Sequence, residues 1–162
     1  MASEIIVPGI TRELLSDGRI VSYTLTSLSV NTLYPWSTVI LSSIEAWPKD
    51  RPYLALHDAS AKGVSVPLMG LMGSDLLNVG VTHTAQQRVR DLLETHPQFR
   101  IRLAVVLSGK ISGQFAFSRF RKTTPLNDRI ETAVFISRQR ALEWLQRAFE
   151  PNTLENPKGS VL

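Results

Sequence analysis

The chain has no cysteine in its 162 residues. That absence removes structural disulfides, a thiolate nucleophile and cysteine-ligated metal together, and it gives no sign of an oxidising compartment. Histidine is nearly as scarce. His57, His83 and His96 are the only three, and none has metal-ligand spacing with another. The sequence therefore implies no metal and no cofactor. No apolar stretch approaches the roughly 20 residues that a membrane span needs. The opening MASEIIVPGITRE lacks a basic region leading into an apolar core, so it does not read as a signal peptide. The expectation is a soluble, cytoplasmic protein with one domain over residues 1–150 and a frayed tail over 151–162, where breakers replace periodicity.

Charge is present but unevenly spread. Residues 1–80 hold five Lys/Arg against seven Asp/Glu, and residues 81–162 hold 13 against 7, for a net charge of +4. A basic second half suits an anionic partner. The basic residues are dispersed, however, and no nucleic-acid-binding motif accompanies them, so no nucleic acid is expected. Arginines on solvated helix faces account for the pattern.

Hydrophobic periodicity places the elements. Residues 4–8 suit an edge strand. Residues 11–15 and 19–25 flank Ser16-Asp17-Gly18, and Asp-Gly between two strand-like runs is a hairpin signal. Pro35 suits the first turn of a helix over about 35–47, with Trp36, Val39, Ile40, Ser43, Ile44 and Trp47 on one face. Residues 53–57 form a near-continuous apolar strand followed by a loop over 58–63. Residues 64–81 carry three glycines and no clear period, with a short helix near 74–77. A helix from 82 or 84 to about 96 presents Ala85, Val89, Leu92, Leu93 and His96 on one face, and Pro97 ends it. Residues 102–107 read as a central strand. A helix over about 112–122 buries Phe115, Ala116, Phe117 and Phe120. A strand over 132–136 runs into a helix over 137–149 with Ser137 as N-cap. The order predicts an α/β fold: a mixed sheet of about four to six strands, opened by a hairpin and continued by parallel strands joined through crossover helices. Trp144 is expected to be largely buried against the strand 132–136 or the preceding helix.

Chemistry is sparse. His57 and Asp58 sit at the carboxyl end of a strand, where loops of open parallel sheets often bind ligands. A His beside an Asp suits acid–base work, but neighbours on a strand point to opposite faces and do not meet. Ser60 and Lys62 follow in the loop, and Ser60 is a conceivable nucleophile beside His57. Ser108-Gly109-Lys110 follows a strand and precedes a helix, as a phosphate loop does. It lacks the earlier glycine and the hydroxyl residue directly after Lys110, so the motif fails. An anion resting on that helix start stays open. His57, Asp58, Ser60, Lys62, Ser108 and Lys110 are the candidate ligand or partner residues, and no catalytic set is assigned.

The strand 53–57 with Asp58, the strand 103–107 and the closing VFISRQRALEWL together resemble the SpoIIAA-like proteins, relatives of the STAS domain of anti-sigma-factor antagonists. The closing Ala141-Leu142-Glu143-Trp144-Leu145 is similar to that family's usual ending. The resemblance covers about residues 10–149. It implies a mixed sheet with helices and a bacterial, non-enzymatic regulatory or protein-interaction module whose partner is another protein or a second copy of the chain. STAS antagonists carry a phosphorylated serine in an Asp-Ser-Ser-Gly-Leu-type segment. Residues 58–63, Asp-Ala-Ser-Ala-Lys-Gly, depart from it and Ser65 matches only loosely, so no phosphosite is carried over. Two other readings stand beside this one. Aromatic-rich elements next to the glycine-rich 64–81 suit a small apolar ligand or lipid, and Ser60 with His57 suits a hydrolase-like enzyme.

Overall fold

Three consecutive positive φ angles turn the chain at Ser16 (52°), Asp17 (57°) and Gly18 (77°). Asp and Gly tolerate that region, and the turn sets the hairpin register. β2 (Ile10–Leu15) and β3 (Ile20–Leu25) pair antiparallel without interruption, from Ile10↔Leu25 to Leu15↔Ile20. β1 (Glu4–Val7) adds to β2 as an edge strand, with an irregularity between Ile5 and Val7. Gly9 joins them at φ +85°, and a Cβ there would lie 1.8 Å from Ser27 Oγ, so no other residue fits without rearrangement.

This computed structural model describes residues 3–65, 67–68, 83–109 and 128–149, with the backbone alone at Val30. The expected helices near 74–77 and over 112–122, the tail over 151–162 and the candidate Lys110 lie outside the described residues. Beyond the hairpin come α1 (Val30–Ala46), β4 (Tyr53–Ala59), α2 (His83–Thr95), β5 (Ile101–Leu107), β6 (Ile130–Phe135), α3 (Arg138–Gln146) and a closing 3-10 turn (Arg147–Phe149). The described strands form one six-stranded sheet in the order β1-β2-β3-β4-β5-β6, and β3 through β6 are parallel. The α/β class, hairpin and parallel strands match the sequence reading.

Strands added in one direction with a constant crossover hand place their connecting helices on one face. Accordingly Trp36 and Ile44 of α1 and Val89 and Leu93 of α2 share a single core with Val21, Tyr23, Tyr53, Ala55, Leu103 and Val105. α3 leads to no further described strand. It covers the opposite face, where Ala141 and Leu145 meet Ile20, Leu54, Leu56, Ala104 and Val106. Burial on both faces explains why β4 and β5 read as nearly unbroken apolar runs. Among the described residues, no helix is long and apolar enough to cross a membrane.

Several boundaries differ from the sequence reading, among them the start of β6, at Ile130 instead of residue 132. α1 starts at Val30, five residues before Pro35, because the Ser29 N–H donates to Thr32 Oγ1 at 2.9 Å and so fixes the entry. Pro35 therefore lies inside the helix, where it cannot donate to the Asn31 carbonyl, and Asn31 is exposed so that water can take that role. β4 runs on through Asp58 and Ala59, which pair with Val106 and Leu107. α3 becomes a 3-10 turn after Gln146; Ser137 does cap it, accepting from the Arg140 N–H at 3.4 Å.

Trp144 also differs in degree. It packs on β6, with its ring 5.7 Å from that of Phe135, but it is half-buried. The positions of α3 turned to the core are Ala141 and Leu145, both 0% exposed, and Trp144 flanks them under the Arg102 guanidinium at 4.9 Å. Trp144→Ala should therefore cost about 2 kcal/mol, the sum of partial burial and ring contacts. A thermal melt showing soluble, folded variant with a modestly lowered Tm is the expected outcome.

Candidate functional site

At the carboxyl ends of β4 and β5 the polar side chains are tied to one another. Asp58 points to the α3 face of β4 and is 9% exposed. Its Oδ1 accepts from the Ser60 backbone N–H at 3.1 Å and from Ser60 Oγ at 2.6 Å. Its Oδ2 accepts from Arg138 Nη1 at 3.2 Å. Three of roughly four acceptor positions on the carboxylate are thus occupied.

Arg138 opens α3, where a cation opposes the helix dipole. Two carboxylates offset that cost. Arg138 Nη2 donates to Glu13 Oε1 of β2 at 2.7 Å and reaches Ser22 Oγ of β3 at 3.4 Å. One guanidinium therefore links β2, β3 and β4 to α3. Helical periodicity sets Arg138 among the polar positions between the apolar ones of this helix and does not reveal the pairing. A basic residue in the first helical position was the available signal that a carboxylate had to lie nearby.

A second tie joins the loops. Ser65 is buried, and its Oγ donates to the Ala59 carbonyl at 2.6 Å and accepts from the Ser108 N–H at 2.8 Å. The chain after β4 is thereby held against the end of β5. Ser108 enters through its backbone. Ser60 and Lys62 stand exposed on this surface.

His57 belongs elsewhere. It points to the other face of β4, as strand alternation requires, and packs between the rings of Tyr23 and Trp36, each with its centroid 5.3 Å away. It is 3% exposed, and neither ring nitrogen has a hydrogen-bond partner among the described residues. Burial lowers its pKa from 6.5 to about 4, so it is neutral at neutral pH. The sheet itself separates it from Ser60, and the pair forms no nucleophile–base contact. Of the candidate residues, the structure brings Asp58, Ser60 and Ser108 into one neighbourhood with Ser65 and Arg138, and it sets His57 apart.

Among the described residues, no three His, Asp or Glu side chains are grouped to hold a metal ion. Two open clefts of about 270 and 310 Å³ appear among these residues. The first lies along the hairpin, where Glu4, Arg12 and Glu13 mix with Leu14, Val21 and Trp47. The second lies at the opposite end of the sheet from Asp58. Because β3 to β6 follow in sequence order, the parallel strands have no point of reversal, and the crevice that such a point opens in doubly wound sheets does not form there. Compared with protein-family models, with curated proteins and with solved structures, the chain finds no match in any of the three.

Proposed function

We propose that the chain is a non-enzymatic regulatory or protein-interaction module of the SpoIIAA-like or STAS kind, which engages a protein partner through the surface at the carboxyl ends of β4 and β5. One observation carries this reading. The polar groups that a catalytic site would turn toward a substrate are spent on one another: Asp58 on Ser60 and Arg138, and Ser65 on Ala59 and Ser108. What this leaves is a shaped surface bearing Ser60 and Lys62. Fixing such a surface before binding reduces the ordering cost that association otherwise carries. The hairpin-first, mixed-sheet order supports the same family reading.

The test is reconstitution. The protein is used to capture a partner from its source, the partner is purified, and a complex of defined stoichiometry is measured by titration. Lys62→Glu reverses an exposed charge and touches no core residue, so it should weaken that complex about tenfold or more while leaving the melt unchanged. Turnover on hydrolase and transferase substrates that disappears with Ser60→Ala would overturn the proposal.

A further inference from the structure

Basic residues far apart in the sequence gather at the amino ends of the parallel strands, opposite the proposed docking surface. Lys49 and Arg51 precede β4, Arg100 and Arg102 straddle the start of β5, and Arg129 precedes β6. All five line the cleft of about 310 Å³. Three carboxylates share the lining, Asp50, Asp128 and Glu131, so the cleft carries two more positive charges than negative. Glu131 is engaged by Arg102 Nε at 2.6 Å.

The cations are held in place rather than waving in solvent. Lys49 Nζ donates to the carbonyls of Ile44 and Glu45 at the end of α1. Arg129 Nη1 does the same for Leu93 and His96 at the end of α2. These contacts explain Lys49 and Arg129 as helix caps. They do not explain Arg51 and Arg100. The Arg51 guanidinium lies over Trp47 at 4.8 Å, on an indole fixed by its own hydrogen bond to the Pro52 carbonyl at 3.0 Å. Arg51 is exposed, and among the described residues its guanidinium has no hydrogen-bond acceptor or carboxylate partner. Among the described residues Arg100 donates through Nη1 alone, to the carbonyls of Pro97 and Phe99, and Nε and Nη2 have no acceptor there.

We propose that this cleft binds the phosphate monoester of a small organic molecule, about the size of a nucleoside monophosphate. Guanidinium forks match phosphate oxygens in pairs, and pre-positioned arginines lose little freedom on binding. The surplus of two positive charges complements a dianion. The cleft is larger than bare phosphate requires and falls at the small end of ligand-site volumes. Pro52, Ile101 and Ala148 in its lining give the organic part an apolar surface. The site stands apart from Asp58 and Ser60 and does not rest on the function proposed above.

The full-length chain should be titrated calorimetrically with AMP, ribose 5-phosphate, inorganic phosphate and adenosine, at low and high salt. At least one of the two monoesters should bind at one site, more tightly than inorganic phosphate, with affinity falling as salt rises. Adenosine should not bind. Arg51→Gln and Arg100→Gln should each weaken the monoester about tenfold, with melts close to wild type because neither side chain is in the core. Arg140→Gln, which removes an exposed cation of α3 outside the cleft lining, should leave monoester binding unchanged. Absence of monoester binding by folded protein would overturn the proposal, as would binding that survives both arginine substitutions. Binding confined to long polyanions such as heparin or RNA would also overturn it, because it would mark a general basic surface instead of a small-molecule cleft.

Discussion

Folding stability should fall by about 3 kcal/mol between pH 6.5 and about pH 4 through His57 alone, and His57→Leu should abolish that part of the fall. The sign follows from burial. In the fold the imidazole is enclosed by Tyr23 and Trp36, with no partner for either nitrogen among the described residues, and its burial lowers its pKa to about 4. In the unfolded chain it titrates near 6.5. Between those values the unfolded state binds the proton more strongly, so the contribution is fully present above pH 6.5 and is lost as pH drops toward about 4. No Asp, Glu, Lys or Arg among the described residues hydrogen-bonds or ion-pairs with the ring, so no opposite charge offsets the loss. Carboxylates elsewhere also take up protons near the lower limit. The informative quantity is therefore the difference between wild type and His57→Leu in urea unfolding at neutral and acid pH. Parallel pH dependence in the two proteins would show that His57 meets solvent or a partner in the fold.

Asp58→Ala should cost about 3 kcal/mol. Removing the carboxylate deprives the Ser60 N–H, Ser60 Oγ and Arg138 Nη1 of their acceptor at once, in a site where Asp58 is only 9% exposed. Arg138 keeps Glu13 at 2.7 Å, which is why the loss stays below that of a fully orphaned buried charge. Asp58→Asn should lose about half as much, since its carbonyl oxygen can still accept from Ser60. Denaturant melts of the two variants test the order. An Asp58→Ala protein as stable as wild type would mean that the network is ornamental and that Asp58 is kept for something it touches outside the chain.

Local signals carried most of the fold. Asp17-Gly18 marked the hairpin, the spacing of Ala85, Val89 and Leu93 marked α2, and Ser137 marked the start of α3. The same logic misplaced α1, because Pro35 suits a first turn and the Ser29–Thr32 pair is a weaker start signal than one ending in Glu. It also ended β4 too early. A charged residue such as Asp58 stays in a central strand only because Arg138, 80 positions away, pairs with it. Long-range contacts decided the site as well. The Ser65–Ser108 tie spans 43 positions, and the basic residues of the cleft run from Lys49 to Arg129. Their dispersal in sequence is what made the arginines read as solvated faces. His57 and Asp58 were correctly separated by strand alternation alone.

Amide hydrogen exchange on the reconstituted complex tests the central claim most directly. The proposal predicts added protection at residues 59–65 and 108–109, with the strand starts near Arg51, Arg100 and Arg129 unchanged. Protection confined to β1, α1 or the basic cleft, with residues 59–65 exchanging as in the free protein, would contradict it.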